Sequence, residues 1–167
     1  MAVLRGKFTL DCRSVRLDSR NARNEKQEMS YQITYSDAAE IVEPDFHDAN
    51  VNGLLVTNDK SLMVSISGSS CGNKCLVLHG LERLRCDDFR QGNIILDITV
   101  SSGPSLNVDD LAYVHEVERN TPFLQSAMDR LRSQNSLLVR LNPSYGCSLV
   151  GICQRITVED DLFSEKL

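Results

Sequence analysis

The sequence predicts an α+β domain that is mainly β: an antiparallel sheet or small β-barrel, with one or two short helices inserted near residues 108–134 and a hairpin near the C-terminal end. Three observations carry this. Short apolar runs follow one another over residues 30–101 with turn-forming residues between them, the rhythm of antiparallel strands and not of alternating strands and helices. A capped, amphipathic segment then occupies residues 121–134, and strand character returns after Asn135. A chain of 167 residues is the size of one domain, so a single domain over residues 1–167 is expected to bury a core of its own.

Taken in order, residues 7–17 read as a first strand through Phe8, Leu10 and Cys12, and the polar block 18–28 as a loop. Residues 30–35 set Tyr31, Ile33 and Tyr35 against Gln32 and Thr34, the period of two of a half-buried strand. Ile41 and Val42, ahead of Pro44, fit a short strand, while 45–53 reads as a turn from its Asp and Asn content. Residues 54–57 and 62–67 flank Asn58, Asp59 and Lys60 as a hairpin. Strands at 74–81 and 93–101 follow, the latter rich in β-branched side chains.

Asn107 is placed to cap a helix with Asp109 and Asp110 in its first turn, where carboxylates meet the positive end of the helix dipole. The continuation 111–117 is compatible with helix or strand. Thr121 as cap and Pro122 at the first helical position start a second helix, with Phe123, Leu124, Ala127, Met128 and Leu131 on one face. Its Asp129, Arg130 and Arg132 face water. Residues 137–141, a turn over 142–146 and a strand over 147–158 then predict a closing hairpin.

Composition narrows the function classes. Hydrophobic residues make up 41% of the chain but aromatic ones only 5%, with no Trp, so aliphatic side chains must fill the interior. The start has too short an apolar segment for a signal peptide and no run is long enough to span a bilayer, which predicts a cytoplasmic protein without a membrane partner. In that setting six cysteines are expected as reduced thiols or small buried hydrophobes. A net charge of −5 and few aromatics argue against a nucleic-acid partner. The charge is uneven: residues 5–26 carry seven basic side chains, residues 37–59 carry six acids and no Lys or Arg, and the tail 159–167 is acidic.

Chemistry can be read into residues 61–81 in several ways. Gly68, Ser70 and Gly72 satisfy G-x-S-x-G, and Asp97 and His115 follow in hydrolase order, but a nucleophile elbow needs a helix after the serine and strand-like residues follow instead. Cys71, Cys75 and His79 offer zinc-type ligands, yet on a strand Cys75 and His79 stand about 13 Å apart, too far for one ion. Cys86 lies among Arg83, Arg85 and Arg90, which favour a thiolate, with Asp87 and Asp88 opposing them. No cofactor is implied.

The arginines near the N-terminus suggest a further possibility. Arg16 and Arg20 spell R-x-x-x-R, a spacing suited to phosphate or carboxylate, and Ser67, Ser69 and Gly72 stand in a pattern like D/N-x-S-x-x-G. Together these motifs resemble those of PilZ domains, with Ser67 where that family has an acidic or amide residue. The resemblance implies a β-barrel that binds cyclic di-GMP, Arg16 and Arg20 clasping phosphates or guanine edges while Ser69 and Gly72 line the pocket.

The sequence therefore points to a binding or assembly module without catalytic activity, with a PilZ-like nucleotide binder and a Ser70 or thiol enzyme as alternatives. Its expected partners are a second copy or another protein, or a small anionic ligand. The basic stretch with Arg13, Arg16, Arg20 and Arg23 suits pairing with the acidic stretch 37–59 of a second copy, so we predict a homo-oligomer whose association weakens with salt. Sedimentation at low and high salt checks this; a monomer under both conditions contradicts it.

Overall fold

The computed structural model describes residues 31–161. In chain order these form β1 (Thr34–Tyr35), β2 (Ile41–Glu43), β3 (Asn50–Val56), β4 (Leu62–Gly68), β5 (Gly72–His79), β6 (Arg83–Asp87) and β7 (Asn93–Ser102), then helices α1 (Val108–His115) and α2 (Pro122–Gln134), and finally β8 (Leu137–Tyr145), β9 (Ser148–Cys153) and β10 (Arg155–Asp160). A single 3-10 turn, Gly103–Ser105, joins β7 to α1. No helix among the described residues is long and apolar enough to cross a membrane.

The mainly β, antiparallel prediction holds, and the barrel alternative does not. β1 pairs with β2, and the other strands form one antiparallel sheet in the order β10-β5-β4-β3-β7-β8-β9-β6, with β10 and β6 at its open ends. The sheet nevertheless bends back on itself. β9 and β10 stand in opposite halves of that order, yet only Gln154 separates them in the chain. The amide of Gln154 donates to the carbonyl of His79 over 2.9 Å, tying the bend to the end of β5.

Two apolar clusters follow from this shape. The inner one fills the bend with Val64, Ile66, Leu76, Leu78, Ile95, Val139 and Leu149 among others. The outer one packs α1 and α2, through Leu111, Val114, Leu124 and Leu131, onto Leu138, Val150 and Ile152 of β8 and β9. The caps read from the sequence position both helices. Asn107 Oδ1 accepts from the amides of Asp109 and Asp110 over 2.9 and 3.3 Å, and Thr121 Oγ1 from that of Leu124 over 3.2 Å. Residues 111–115 are thus helix, settling the helix-or-strand ambiguity.

Several elements differ from the prediction, each for a physical reason. Only Thr34–Tyr35 of the 30–35 segment is strand; Tyr31 instead bridges Val158 and donates its hydroxyl to Asp160. β3 begins at Asn50, inside the expected turn, because a bulge between Val51 and Gly53 absorbs Asn52, whose amide bonds Ser67. β6 was not foreseen, since an edge strand with alternating charge lacks an apolar signature. The 147–158 strand breaks at Gln154, so the closing hairpin is β8–β9 alone and β10 crosses to pair with β5. Glu159 and Asp160, read as tail, end β10, where Asp160 pairs with Lys74 at 2.8 Å. Phe123 is exposed, outside the buried face of α2. The proposed strand 7–17 and loop 18–28 lie outside the described residues.

A buried amide joins three connections. Asn93 Oδ1 accepts from the amides of Arg90 and Cys147 over 2.8 and 3.1 Å, while its Nδ2 donates to the carbonyls of Val51 and Arg90 over 3.3 and 2.6 Å. Gly146 makes room for it: its φ of +82° and the 2.5 Å between Asn93 Oδ1 and any Cβ placed there leave no space for a side chain. Asn93→Ala strands these buried partners, and we expect a loss of about 2–4 kcal/mol. Urea unfolding checks this through a lowered midpoint at unchanged slope.

Candidate functional site

The residues singled out from the sequence do not assemble. Ser69 and Ser70 are exposed at the tip of the β4–β5 hairpin, where Gly68 pairs with Gly72 and Gly72 has a φ of +69°. That is a three-residue hairpin loop closed by a left-handed glycine, followed by a strand and not by a helix. Asp97 accepts from Asn142, and His115 lies under α2 with neither ring nitrogen hydrogen-bonded, so Ser70, Asp97 and His115 form no relay. Arg16 and Arg20 lie outside the described residues.

The thiols behave as their burial dictates. Cys71 is buried at the hairpin and its pKa is raised, chiefly by burial; Cys75 is pushed up to about 11 for the same reason. Both are held as thiols and not as nucleophilic thiolates. His79 ends β5 and contacts Thr157 Oγ1 at 2.9 Å. Among the described residues no three His, Cys, Asp or Glu side chains gather as a metal site. Around Cys86 the arginines are engaged elsewhere: Arg85 pairs with Asp87 at 2.9 Å and Arg90 with Asp88.

A different place carries unspent polarity. A cleft of about 430 Å³ opens between the segment leading into β6, the end of α1 and the first turns of α2, lined by Glu82, Arg83, His115, Phe123, Ser126, Ala127 and Arg130. A comparable cleft of about 460 Å³ beside Val108 and Thr121 has no ionisable side chain in its lining. His115 is the last residue of α1 and only 9% exposed, and both its ring nitrogens lack a partner among the described residues. Its ring meets Phe123 edge-to-face, the centroids 5.2 Å apart and the planes at 79°.

The walls are positioned by helix-end chemistry. α1 stops at Glu116, which adopts φ +57° and returns its amide to Ala112 and Tyr113. The carbonyls left at this negative end are met by β6: Arg83 Nε donates to Val114 over 2.8 Å and Arg85 Nη1 to Tyr113 over 2.9 Å. Arg83 thereby keeps its terminal amino groups free of protein hydrogen bonds among the described residues. Across the cleft, Glu82 takes hydrogen bonds from Gln154 at 2.6 Å and Ser136 at 3.3 Å, and meets Arg130 only at 3.8 Å. Two guanidinium groups therefore face one carboxylate that is mostly occupied.

Burial, and then Arg83 and Arg130, push the His115 pKa below its ordinary value of 6.5, so the ring is neutral at pH 7. A neutral imidazole carries one N–H donor and one lone pair, and here neither has a protein partner among the described residues. Sequence reasoning found His115 only as a candidate triad member and missed the cleft, because Arg83, His115 and Arg130 share no local spacing. The one legible signal was a histidine at the end of an amphipathic helix. Set against known proteins, the chain matches no family model, no curated protein and no solved structure.

A histidine whose pKa is lowered by folding adds stability that is fully present above 6.5 and is lost as the pH falls toward the folded-state value. The groups facing it are Arg83 from β6, Glu82 just before β6, and Phe123 and Arg130 from α2. His79 is shifted the same way, by burial and Arg155, so a difference measurement is required. We expect His115→Leu to flatten the fall in stability between about pH 7 and pH 5 relative to the parent. Urea unfolding at each pH reads this out; identical slopes contradict it.

Proposed function

We propose that the domain is a binding module whose small ligand presents a carboxylate or phosphate to the cleft at His115. The observation that carries this is His115 itself, buried with two unsatisfied ring nitrogens in the lining of a cleft with two arginines. An orphaned buried polar group costs about 1–3 kcal/mol, and a ligand that accepts or donates there restores that loss. With the histidine neutral, Arg83 and Arg130 against Glu82 leave one net positive charge, which favours an anion.

Phe123, exposed at the rim, supplies an apolar face for the remainder of the ligand. The hydroxyl of Ser126 donates to the Pro122 carbonyl over 3.1 Å, which supports a binding role over nucleophilic chemistry. Recognition of an anion agrees with the sequence expectation of a small anionic ligand while moving it from Ser69 and Gly72 to a different face. Assembly through the N-terminal arginines is a separate proposal that this site neither needs nor opposes.

Titration with inorganic phosphate, pyrophosphate and citrate, followed by melting temperature and by the NMR signals of the His115 ring, tests the reading. Saturable stabilisation with movement of the His115 resonances is expected. Arg130→Ala, at an exposed position, should weaken binding about tenfold without unfolding the domain. No response to any of the three anions contradicts the proposal. Stabilisation by cyclic di-GMP that disappears when Arg16 and Arg20 are replaced by Ala, with His115 unmoved, favours the PilZ-like reading instead.

A further inference from the structure

A second chemical feature lies on the opposite face of β6. Cys86 Sγ and Cys147 Sγ are 3.3 Å apart, although 61 positions separate them in the chain. Cys147 is wholly buried in the inner cluster and its amide is pinned to Asn93 Oδ1 over 3.1 Å, whereas Cys86 is only partly buried on the edge strand. Among the described residues no other pair of cysteines is hydrogen-bonded to one another. Closing 3.3 Å to the roughly 2.05 Å of a disulfide brings the two sulfurs together by about 1.2 Å.

The geometry points to a reversible dithiol site, at which Cys86 and Cys147 are oxidised to a disulfide by hydrogen peroxide. Cys86 is the attacking group, because it is the less buried of the two and lies on the edge strand, while Cys147 is wholly buried. Its thiolate attacks one peroxide oxygen: an S–O bond forms, the O–O bond breaks, and the departing hydroxide takes up a proton to leave as water. Cys147 then attacks the sulfenic sulfur, the S–S bond forms, the S–O bond breaks, and a second water leaves with the thiol proton. The two thiols give up two electrons and two protons, and hydrogen peroxide takes both to become two waters.

Burial and the adjacent Cys86 push the Cys147 thiol well above its ordinary value, so it does not initiate the reaction; its place 3.3 Å from Cys86 makes it the resolving group. The product closes a long loop between β6 and the β8–β9 turn, which restricts the unfolded chain. The site does not depend on the His115 cleft: Leu84 and Cys86 face the inner cluster, while Arg83 and Arg85 reach α1.

The test exposes the folded full-length protein to a small excess of hydrogen peroxide, blocks remaining thiols with an alkylating agent and maps the peptides by mass spectrometry. A Cys86–Cys147 crosslink is expected, with two fewer alkylated thiols, a melting temperature raised by roughly 5 °C or more, and full reversal by dithiothreitol. Cys147→Ser should instead stop at a sulfenic acid on Cys86 that reacts with dimedone. Peptide mapping of the unmodified sequence keeps the proposal testable even where that variant unfolds. A crosslink that joins any other cysteines, including Cys12, or oxidation of Cys86 to sulfinic acid without a crosslink, overturns it.

Discussion

Burial of β9 on both faces is the constraint on which the remaining architecture depends. Leu149 and Cys153 point into the bend of the sheet, Val150 and Ile152 point at the helices, and every residue from Leu149 to Cys153 is buried. At about 1.5–3 kcal/mol for each large aliphatic side chain withdrawn from water, these few residues anchor two cores at once. Gly151 occurs where the two halves of the sheet come closest: a Cβ there would stand 2.8 Å from Leu78 Cδ2. The bend therefore requires a residue without a side chain at that point, and the chain must then leave β9 through Gln154 to reach the other half.

What could be read from the sequence was what local physics decides. The Asn107 and Thr121 caps, Pro122 at the start of α2, and the β3–β4 hairpin over Asn58, Asp59 and Lys60 all follow from groups a few residues apart, and all are found as expected. β6 escaped because Arg83, Arg85 and Asp87 alternate with Leu84 and Cys86, a half-buried edge that looks like a charged loop when its neighbour is unknown. The break at Gln154 escaped because an apolar run carries no mark of where it changes partner. The cleft escaped for a deeper reason: an unsatisfied histidine is a property of packing, created only when α2 covers the end of α1.

The attachment of α1 shows how charge substitutes for apolar area on a lean outer layer. Tyr113 lies between two guanidinium groups, with Arg85 4.1 Å and Arg140 5.0 Å from its ring centre, and its hydroxyl donates to Asp87 over 2.7 Å. Arg140 in turn pairs with Asp110 at 3.2 Å, where both side chains are largely shielded from solvent. These contacts fix the rotation of α1 about its axis, and that rotation directs His115 toward α2 and the cleft. The electrostatics of the helix and the geometry of the cleft are consequently one problem, solved by the same strand.

β6 is the element where fold and chemistry meet, and its position in the sheet explains why. An interior strand has both edges hydrogen-bonded, but β6 pairs only with β9, so one side remains open to solvent and to whatever reacts there. Alternation then sends Arg83 and Arg85 to the helix layer and Leu84 and Cys86 to the inner core. A one-residue slip of β6 would exchange these faces, burying guanidinium groups in an aliphatic core and turning Cys86 away from Cys147. The arginine contacts to α1 therefore protect the register as much as they hold the helix. Because that register also sets Cys86 beside Cys147 and Arg83 beside His115, the polar cleft and the thiol pair are two consequences of one strand alignment.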